Sequence, residues 1–205
     1  MRLLFAVPKG RLLEESLTLL ANWGIRPTES IQASRKLIFS TTSESVELAL
    51  LRAQDVLAYV DEGAADLGIA GSDLLAEHRP QHVCRMIDLG IGRCTLMTAR
   101  PGHSSTHPDY IKKVATKYPN LARDHYASRG MHIQPIKLYG SMELAPLLKI
   151  ADEIVDVVSS GQTLKANNLV PDHTIMSVSS FLIVNQNALK TRHALIQPII
   201  ERARA

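Results

Sequence analysis

The chain has 205 residues, 45% of them apolar and 21% charged, and this composition excludes disordered and fibrous proteins. The formal net charge is +3 and the basic residues are dispersed, which argues against nucleic-acid binding because that function needs a dense basic stripe. Aromatic residues make up only 4%, so the core must be built from aliphatic side chains, as in layered α/β folds.

No apolar run of the sequence is long enough to cross a membrane. The N-terminal stretch at residues 3–7 ends at Pro8 and is too short even for the core of a signal peptide. Cys84 and Cys94 lack CxxC spacing and adjacent histidines, which indicates reduced thiols. We therefore expect a cytoplasmic protein with no membrane partner.

Short apolar runs, glycine-containing turns and helical patterns alternate along the first half. The patterns predict strands at residues 3–7, 46–52, 67–70 and 94–99. They predict helices at residues 12–23, from a cap at Asp55 to Gly63, at 71–75 and near 109–117. A domain boundary is predicted near Gly90 and Gly92, where two glycines follow a short strand-like run.

The second half repeats the alternation. The predicted helices are residues 121–129, one capped by Ser141 with Glu143 in its first turn, one near Leu164, and a closing helix at 189–204. The predicted strands are residues 133–138, 154–158 and 175–184. Strands that alternate with helices predict mainly parallel sheets.

In α/β folds, ligands bind outside the carboxyl ends of the strands, where helix N-termini offer free N–H groups to anions. Three segments fit this position: residues 8–11, 71–73 and 159–163. The last is the most specific, because small hydroxyl residues surround a glycine between a buried strand and a helix. Asp156 lies close enough in sequence to reach ribose hydroxyls or a magnesium ion. Taken alone, however, such a segment is more often a plain helix cap.

Basic residues near the strand ends are candidates for phosphate contacts. Lys9 and Arg11 follow the first strand, and either phosphate binding or solvent exposure explains them equally well. Arg52 ends a strand and so faces the ligand edge of the sheet. Arg35 has no local signal and on spacing alone is a surface residue. Walker A, GxSxG, GxGxxG and zinc-ligand spacings are absent from the sequence.

Several blocks resemble the ATP phosphoribosyltransferase family, in the same order along nearly the whole chain. They are AVPKGRL at residues 6–12, RAQDV at 52–56, GAADLGI at 63–69, TKYPNL at 116–121, GSMELAPL at 140–147, and ADEIVD at 151–156 continuing through SGQTL at 160–164 to Asn167. The resemblance is to the short form, which lacks a C-terminal regulatory domain.

This resemblance implies an α/β fold of two domains with periplasmic-binding-protein-like (type II) architecture and the active site in the interdomain cleft. Residues 1–92 plus 178–205 would form the first domain, and residues 93–177 the second. The resemblance also implies a partner, a regulatory subunit similar to histidyl-tRNA synthetase that carries histidine feedback. We therefore expect a hetero-oligomer that contains a homodimer of catalytic subunits.

The resemblance also assigns roles to individual residues. Phosphoribosyl pyrophosphate would be bound by Glu143, Asp156, Ser159, Ser160, Gly161, Gln162, Thr163 and Leu164. Arg35 and Arg52 would stabilise the leaving group, and ATP would lie along Lys9, Gly10, Arg11 and Asp73. Mg²⁺ would be bound mainly through the substrate phosphates, and no protein side chain is assigned to it.

The implied reaction is the attack of adenine N1 of ATP on the anomeric carbon of phosphoribosyl pyrophosphate, which needs no serine or cysteine nucleophile. Leu57 replaces a usual proline, Lys149 and Asn168 replace usual glycines, and Ser160 replaces a common threonine but keeps the hydroxyl. The alternatives are a non-catalytic cytoplasmic ligand-binding module of the periplasmic-binding-protein type and another phosphoribosyltransferase. The second is disfavoured because no pair of adjacent acidic residues precedes a phosphate loop at a strand end.

Overall fold

The computed structural model describes residues 2–102 and 111–204, and these form two compact units. The first unit comprises Met1–Leu75, Arg79–Gly92 and Ser179–Ala205, and the second comprises Ala76–His78 and Arg93–Val178. Within the described residues, no helix is long and apolar enough to cross a membrane.

The strands of the described ranges are β1 (Leu3–Pro8), β2 (Ile38–Ser40), β3 (Val46–Leu51), β4 (Leu67–Gly71), β5 (Val83–Asp88), β6 (Cys94–Pro101), β7 (Lys112–Thr116), β8 (Ile133–Lys137), β9 (Glu153–Val158), β10 (Leu169–Val178) and β11 (Ser180–Asn185). The helices are α1 (Leu13–Asn22), α2 (Ala53–Asp61), α3 (Ser72–His78), α4 (Pro119–Ala127), α5 (Leu144–Leu147), α6 (Gln162–Ala166), α7 (Gln186–Thr191) and α8 (His193–Arg204).

The first unit is built on a sheet in the order β2-β3-β1-β4-β11-β5. β3, β1 and β4 run parallel, whereas β2, β11 and β5 pair antiparallel with their neighbours. One face packs against α1, α7 and α8 through an apolar core that is mostly aliphatic and includes Phe5, Trp23 and Phe39. On the other face, α2 comes so close to β4 that a Cβ on Gly68 would lie 3.1 Å from Val60 Cγ2. This close packing of a helix on a strand requires glycine.

The second unit is built on a sheet in the order β10-β6-β9-β7-β8. β9, β7 and β8 run parallel, and β6 and β10 pair antiparallel. A core that includes Met142, Ile154 and Leu164 joins the sheet to α5 and α6. Both sheets are therefore mixed, and the expectation of mainly parallel sheets is wrong. The antiparallel strands β6, β10 and β11 lie where the chain passes from one unit to the other.

Several local predictions also need correction. Residues 112–116 were predicted as helix but form β7. This strand has a neighbouring strand on each side and three consecutive buried residues, so its sequence shows no alternation of apolar and polar residues. Residues 109–110 of the predicted helix lie outside the described ranges. The strand predicted at 175–184 is two strands that meet at Ser179 and belong to different sheets. The predicted closing helix is two helices, because Arg192 leaves helical geometry between α7 and α8.

The two predicted side-chain caps are also absent. Arg52, not Asp55, occupies the N-cap position of α2, and Asp55 lies in its first turn. Ser141 adopts a left-handed φ of 52°, and Glu143 occupies the N-cap position of α5 without a side-chain hydrogen bond. Lys149 and Asn168, the two residues that replace usual glycines, have φ of 57° and 56°. A left-handed backbone explains why glycine suits both positions.

Lys149→Gly should raise the free energy of unfolding by about 0.5–1 kcal/mol, because the relief of left-handed strain exceeds the entropy gained by the unfolded chain. Lys165→Gly is the matched comparison, since this lysine is in a helix and its loss should cost about 1 kcal/mol. Urea denaturation of both variants measures the difference. A destabilised Lys149→Gly variant would contradict the strain argument.

Candidate functional site

The carboxyl ends of the three parallel strands in the first unit emerge at one edge of its sheet. Pro8 of β1 pairs with Leu51 of β3, and Phe5 pairs with Leu67 of β4. The backbone N–H of Lys9 donates to the carbonyl of Leu51 at 2.7 Å, which extends the pairing past the strand end. The turn after β1, Arg52 after β3 and the start of α3 after β4 therefore share this edge.

The turn after β1 presents two cations. Gly10 has a φ of 88°, which favours glycine, and its carbonyl accepts a hydrogen bond from the N–H of Leu13 at 3.0 Å as α1 begins. Lys9 and Arg11 flank it and are both exposed. The tight turn thus places two basic side chains in solvent at the end of the strand, where an anionic ligand can reach them.

Arg52 joins β3 to α2. Its backbone is extended, with φ −65° and ψ 145°, and its carbonyl accepts the N–H groups of Asp55 at 2.8 Å and Val56 at 3.2 Å. The guanidinium is on an exposed residue beside the N-terminus of α2. Side-chain charge and helix dipole therefore both favour an anion at this position.

Arg35 reaches the same edge through a pairing that sequence spacing does not reveal. β2 is antiparallel to β3 with Ile38 opposite Ala49, and the N–H of Leu50 donates to the carbonyl of Leu37 at 2.8 Å. Arg35 lies two residues before Leu37, and therefore on the side of β2 that faces the carboxyl end of β3. Arg52 directly follows that end of β3.

Asp73 is the one acidic member of the predicted set in the first unit. It lies in the first turn of α3 and is only 8% exposed. Its carboxylate lies against the α-carbon of Gly71, where any Cβ would overlap Asp73 Oδ1. Gly71 therefore leaves the space that this carboxylate occupies at the edge of the sheet.

The second unit has an equivalent edge at the carboxyl ends of β9, β7 and β8. Thr116 of β7 pairs with Val155 on one side and Lys137 on the other. The segment that follows β9 begins at Ser159, and the segment that follows β8 leads to Glu143. The predicted residues of the second unit thus lie near the carboxyl end of β9 or on the segments that follow β9 and β8.

The segment from Ser159 to Thr163 has the geometry expected of an anion-binding turn. Gly161, with a φ of 72°, is the N-cap residue of α6, and Ser159, Ser160, Gln162 and Thr163 are exposed. The first N–H groups of a helix have no intrahelical acceptor and are available to a ligand. Leu164 differs from the others because its side chain is buried in the core, so it anchors α6 and only its backbone can face a ligand.

Asp156 lies on the face of the sheet that packs against α5 and α6. Strand alternation gives it the same face as Ile154 and Val158, which contact that core, and it pairs with Met97, which also does. Its Oδ1 accepts the N–H of Val157 at 2.8 Å. Glu143, at the start of α5, belongs to the same face, and both residues are half-buried. The two carboxylates are therefore carried by elements that contribute to the same core as α6.

Lys117 is a residue that the sequence analysis did not assign. Counting one position beyond the Thr116–Val155 pair brings it level with Asp156. It is half-buried, and its Nζ lies 4.9 Å from the ring centroid of the fully buried Tyr118. The sequence did contain a signal for Lys117, because it directly follows a buried strand and basic residues at strand ends, such as Lys9, are candidates for phosphate contacts.

A cavity of about 380 Å³ in the first unit lies at the opposite edge, among Asp61, Asp66, Asn185 and Arg192. Its charged groups are engaged in the fold: Arg192 donates to both oxygens of Asp66 at 2.6 and 2.8 Å, and Asp61 accepts the N–H of His82 at 2.7 Å. The cavity is therefore a structural feature of the amino edge. Within residues 2–102 and 111–204, no group of three His, Cys, Asp or Glu residues is arranged to hold a metal ion.

Comparison with known proteins gives one consistent family. The family model described as HisG, ATP phosphoribosyltransferase, matches residues 52–205. An ATP phosphoribosyltransferase of Neisseria gonorrhoeae is 51% identical over 203 residues, covering 97% of this chain and 92% of that protein.

Solved structures agree with this family. The ATP phosphoribosyl transferase (HisG:HisZ) complex of Thermotoga maritima contains a chain that is 29% identical, with a TM-score of 0.86 and coverage of 98% of this chain and 96% of that one. The alkanesulfonate-binding protein SsuA of Xanthomonas axonopodis pv. citri matches with a TM-score of 0.60 at 12% identity, covering 98% and 71%. The latter likeness shows only a shared fold of the periplasmic-binding-protein type.

Gly71→Ala should displace the carboxylate of Asp73 and lower the free energy of unfolding by about 1–3 kcal/mol, the usual cost of overpacking. Gly140→Ala is the control, because nothing lies within 4 Å of a Cβ at Gly140 and its φ is not left-handed. Denaturation of Gly71→Ala, Asp73→Ala and the double variant measures the coupling. Additive effects would show that the Asp73 carboxylate does not fill the space at Gly71.

Proposed function

This chain belongs to the ATP phosphoribosyltransferase family, and on that basis we propose that it performs the first step of histidine biosynthesis. It transfers the phosphoribosyl group of phosphoribosyl pyrophosphate to N1 of the ATP adenine and releases pyrophosphate. The observation that carries this assignment is 51% identity over 97% of the chain. The chain corresponds to the short form, since it covers 96% of the Thermotoga maritima chain.

The first unit supplies the positive charge that two polyphosphate substrates need. Lys9, Arg11 and Arg52 follow the carboxyl ends of strands in this unit, and Arg35 lies before β2 on the same side. We assign Lys9 and Arg11 to the phosphates of ATP, and Arg35 and Arg52 to the departing pyrophosphate. Arginine suits this role because its planar guanidinium makes paired hydrogen bonds to phosphate oxygens. Asp73, with Gly10 in the adjacent turn, completes the ATP-binding set.

The second unit holds the sugar phosphate. The turn from Ser159 to Leu164 offers hydroxyl groups and the free N–H groups of α6 to the 5-phosphate. Glu143 and Asp156 accept hydrogen bonds from the ribose hydroxyls. Lys117, level with Asp156, adds a cation next to this position. The charges therefore match a ligand with phosphate at one end and hydroxyl groups beside it.

The chemistry needs positioning and charge stabilisation more than a protein nucleophile. Adenine N1 attacks with its own lone pair, the bond from the anomeric carbon to pyrophosphate breaks, and negative charge grows on the leaving group. Arg35 and Arg52 are placed at the strand edge before this charge develops, which is the condition for electrostatic stabilisation. The protein groups therefore act by orientation and charge.

Mg²⁺ is the metal ion we assign to this site. Its donors are mainly phosphate oxygens of the substrates, since Mg²⁺ keeps several waters and takes one or two carboxylates. Asp156 is the carboxylate beside the phosphate turn and offers the hard oxygen ligand that Mg²⁺ prefers. The bound ion supplies neutralisation of pyrophosphate charge.

We assign to this chain a regulatory partner of the HisZ type, resembling histidyl-tRNA synthetase, that carries feedback by histidine. The support is the Thermotoga maritima relative, whose structure is of a HisG:HisZ complex. We further propose a homodimer of catalytic chains within the hetero-oligomer, and a cytoplasmic location that suits a biosynthetic enzyme.

The purified chain, mixed with ATP, phosphoribosyl pyrophosphate and Mg²⁺, should form phosphoribosyl-ATP. Mass spectrometry identifies the product, and pyrophosphatase draws the reaction forward. If the isolated chain gives no product, addition of the HisZ-type subunit should restore formation. Absence of phosphoribosyl-ATP with the partner present would contradict the proposed activity and favour a ligand-binding module.

Arg52→Ala and Arg35→Ala should each lower kcat by about 10²-fold or more, since each removes a donor aimed at developing negative charge. Both arginines are exposed, so the free energy of unfolding should change by no more than about 0.5 kcal/mol. Arg26→Ala is the control, because this exposed arginine lies beyond the opposite end of β2, where its carbonyl accepts the N–H of Thr42. If Arg52→Ala or Arg35→Ala had the same kcat as Arg26→Ala, that arginine would not stabilise the leaving group.

A further inference from the structure

Leu12 directly follows the turn that carries Lys9 and Arg11, and its side chain lies on Gly92. A Cβ built on Gly92 would overlap Leu12 Cδ2 and come within 3.3 Å of Leu12 Cγ. Gly92 also has a left-handed φ of 64°. Both the space and the backbone at this position therefore require glycine.

A second contact joins the same two segments. Glu15, in the first turn of α1, accepts the backbone N–H of Gly92 on Oε2 at 3.0 Å. The start of α1 thus meets Gly92 through an apolar side chain and through a charged hydrogen bond. Residues Leu12, Glu15 and Gly92 are called the α1 clamp below.

The segment that carries Gly92 is itself fixed to the sheet. The N–H of Ser180 in β11 donates to the carbonyl of Ile91 at 3.1 Å, and the N–H of Leu89 donates to the carbonyl of Ser180 at 2.9 Å. Ser180 is 1% exposed, and its Oγ would lie 3.0 Å from a Cβ on Gly92. The α1 clamp therefore ties the start of α1 to a strand of the central sheet.

The turn is held at both ends by backbone hydrogen bonds. The N–H of Lys9 donates to the carbonyl of Leu51, and the carbonyl of Gly10 accepts the N–H of Leu13, while nothing lies within 4 Å of a Cβ at Gly10. Lys9 and Arg11 are exposed, so the path of the backbone sets where their side chains start. Leu12 is covalently next to Arg11, and a shift of Leu12 moves that arginine.

We propose that Gly92 is a positioning residue for ATP, acting through Leu12 and Glu15 to fix the turn of Lys9, Gly10 and Arg11. The proposal rests on the proposed function, in which this turn binds ATP. It predicts a specific kinetic effect: loss of the clamp raises KM for ATP and leaves KM for phosphoribosyl pyrophosphate unchanged. The latter is bound by the turn after β9 and by Arg35 and Arg52, none of which contacts the clamp residues in the contacts described above.

Substitutions of Glu15 and of its neighbour Glu14 test the hydrogen bond between Glu15 and the backbone N–H of Gly92. Glu15→Ala should raise KM for ATP roughly threefold, an effect equivalent to about 0.7 kcal/mol of binding. Glu15→Gln keeps an oxygen acceptor and should stay near the wild-type value. Glu14→Ala is the matched control, an exposed carboxylate in the same helix turn. If Glu15→Gln behaves like Glu15→Ala, charge rather than the hydrogen bond matters, and the proposal is overturned.

Two glycines test the packing contact. Gly92→Ala and Gly24→Ala both place alanine in a left-handed backbone, with φ of 64° and 78°, but a Cβ at Gly24 meets nothing within 4 Å. Gly92→Ala should raise KM for ATP about tenfold, whereas Gly24→Ala should lower the melting temperature without changing that KM. Equal kinetics of the two variants, or a rise in KM for both substrates, would overturn the proposal.

Lys9→Ala and Arg11→Ala separate this proposal from the proposed function. Higher KM for ATP in these variants together with wild-type kinetics in Gly92→Ala would reject the clamp alone. Wild-type kinetics in Lys9→Ala and Arg11→Ala would instead reject the assignment of the turn to ATP, whatever the clamp variants show.

Discussion

The carboxylate of Asp66 holds together the amino end of the sheet in the first unit, and the positions of the other strand ends depend on it. It is 5% exposed, accepts the N–H of Leu4 at 2.8 Å, and receives two hydrogen bonds from Arg192. Its own carbonyl accepts the N–H of Asn185 at 2.9 Å. One residue thus joins β1, β4, β11 and the link between α7 and α8. Loss of Arg192 would leave the nearly buried carboxylate of Asp66 without its charged partner, which is destabilising although the half-buried arginine makes the cost smaller than for a fully buried pair. Because strands are stiff, a register fixed here also sets where their far ends emerge.

The second unit follows the same division between its two edges. Glu153, at the start of β9, is buried between Lys112 and Tyr126, which both hydrogen-bond to its carboxylate. Burial and the hydrogen bond to Glu153 raise the pKa of the Tyr126 hydroxyl far above its ordinary value, so the phenol stays protonated and keeps donating. Paired charges at the amino ends stabilise the strands, and the exposed polar groups at the carboxyl ends of β9 and β1 are those to which we assign the substrates. In the proposed function, stability and binding therefore occupy opposite edges of each sheet.

This division explains what the sequence can and cannot predict. β1, β3, β4 and β9 were predictable because buried apolar runs end in turn residues, and the turn that precedes α6 was predictable from its position after β9. The phosphate-binding role of that turn stays a prediction. β10 and β11 merged into one predicted strand because apolar residues continue on both sides of Ser179 and Ser180, and no glycine or proline marks the break. The position of Arg35 depends on an antiparallel pairing of three-residue β2 with β3, which is a non-local contact. Only the family resemblance assigned Arg35 a role, because the spacing of residues around it does not reveal the pairing of β2 with β3.

The cations at the carboxyl edge of the first sheet are exposed to solvent, and this limits how strongly each one can bind a phosphate group alone. A single solvated ion pair contributes about 0–1 kcal/mol, so Lys9, Arg11 and Arg52 cannot hold a polyphosphate strongly as isolated charges. Their strength has to come from several donors meeting one phosphate chain in fixed geometry, with water displaced as the substrate binds. Backbone placement then matters as much as charge. The left-handed turn at Gly10 and the extended backbone of Arg52 set the directions from which the side chains depart. In the proposed function, contacts that hold these backbones in place therefore contribute to substrate binding even though they touch no substrate.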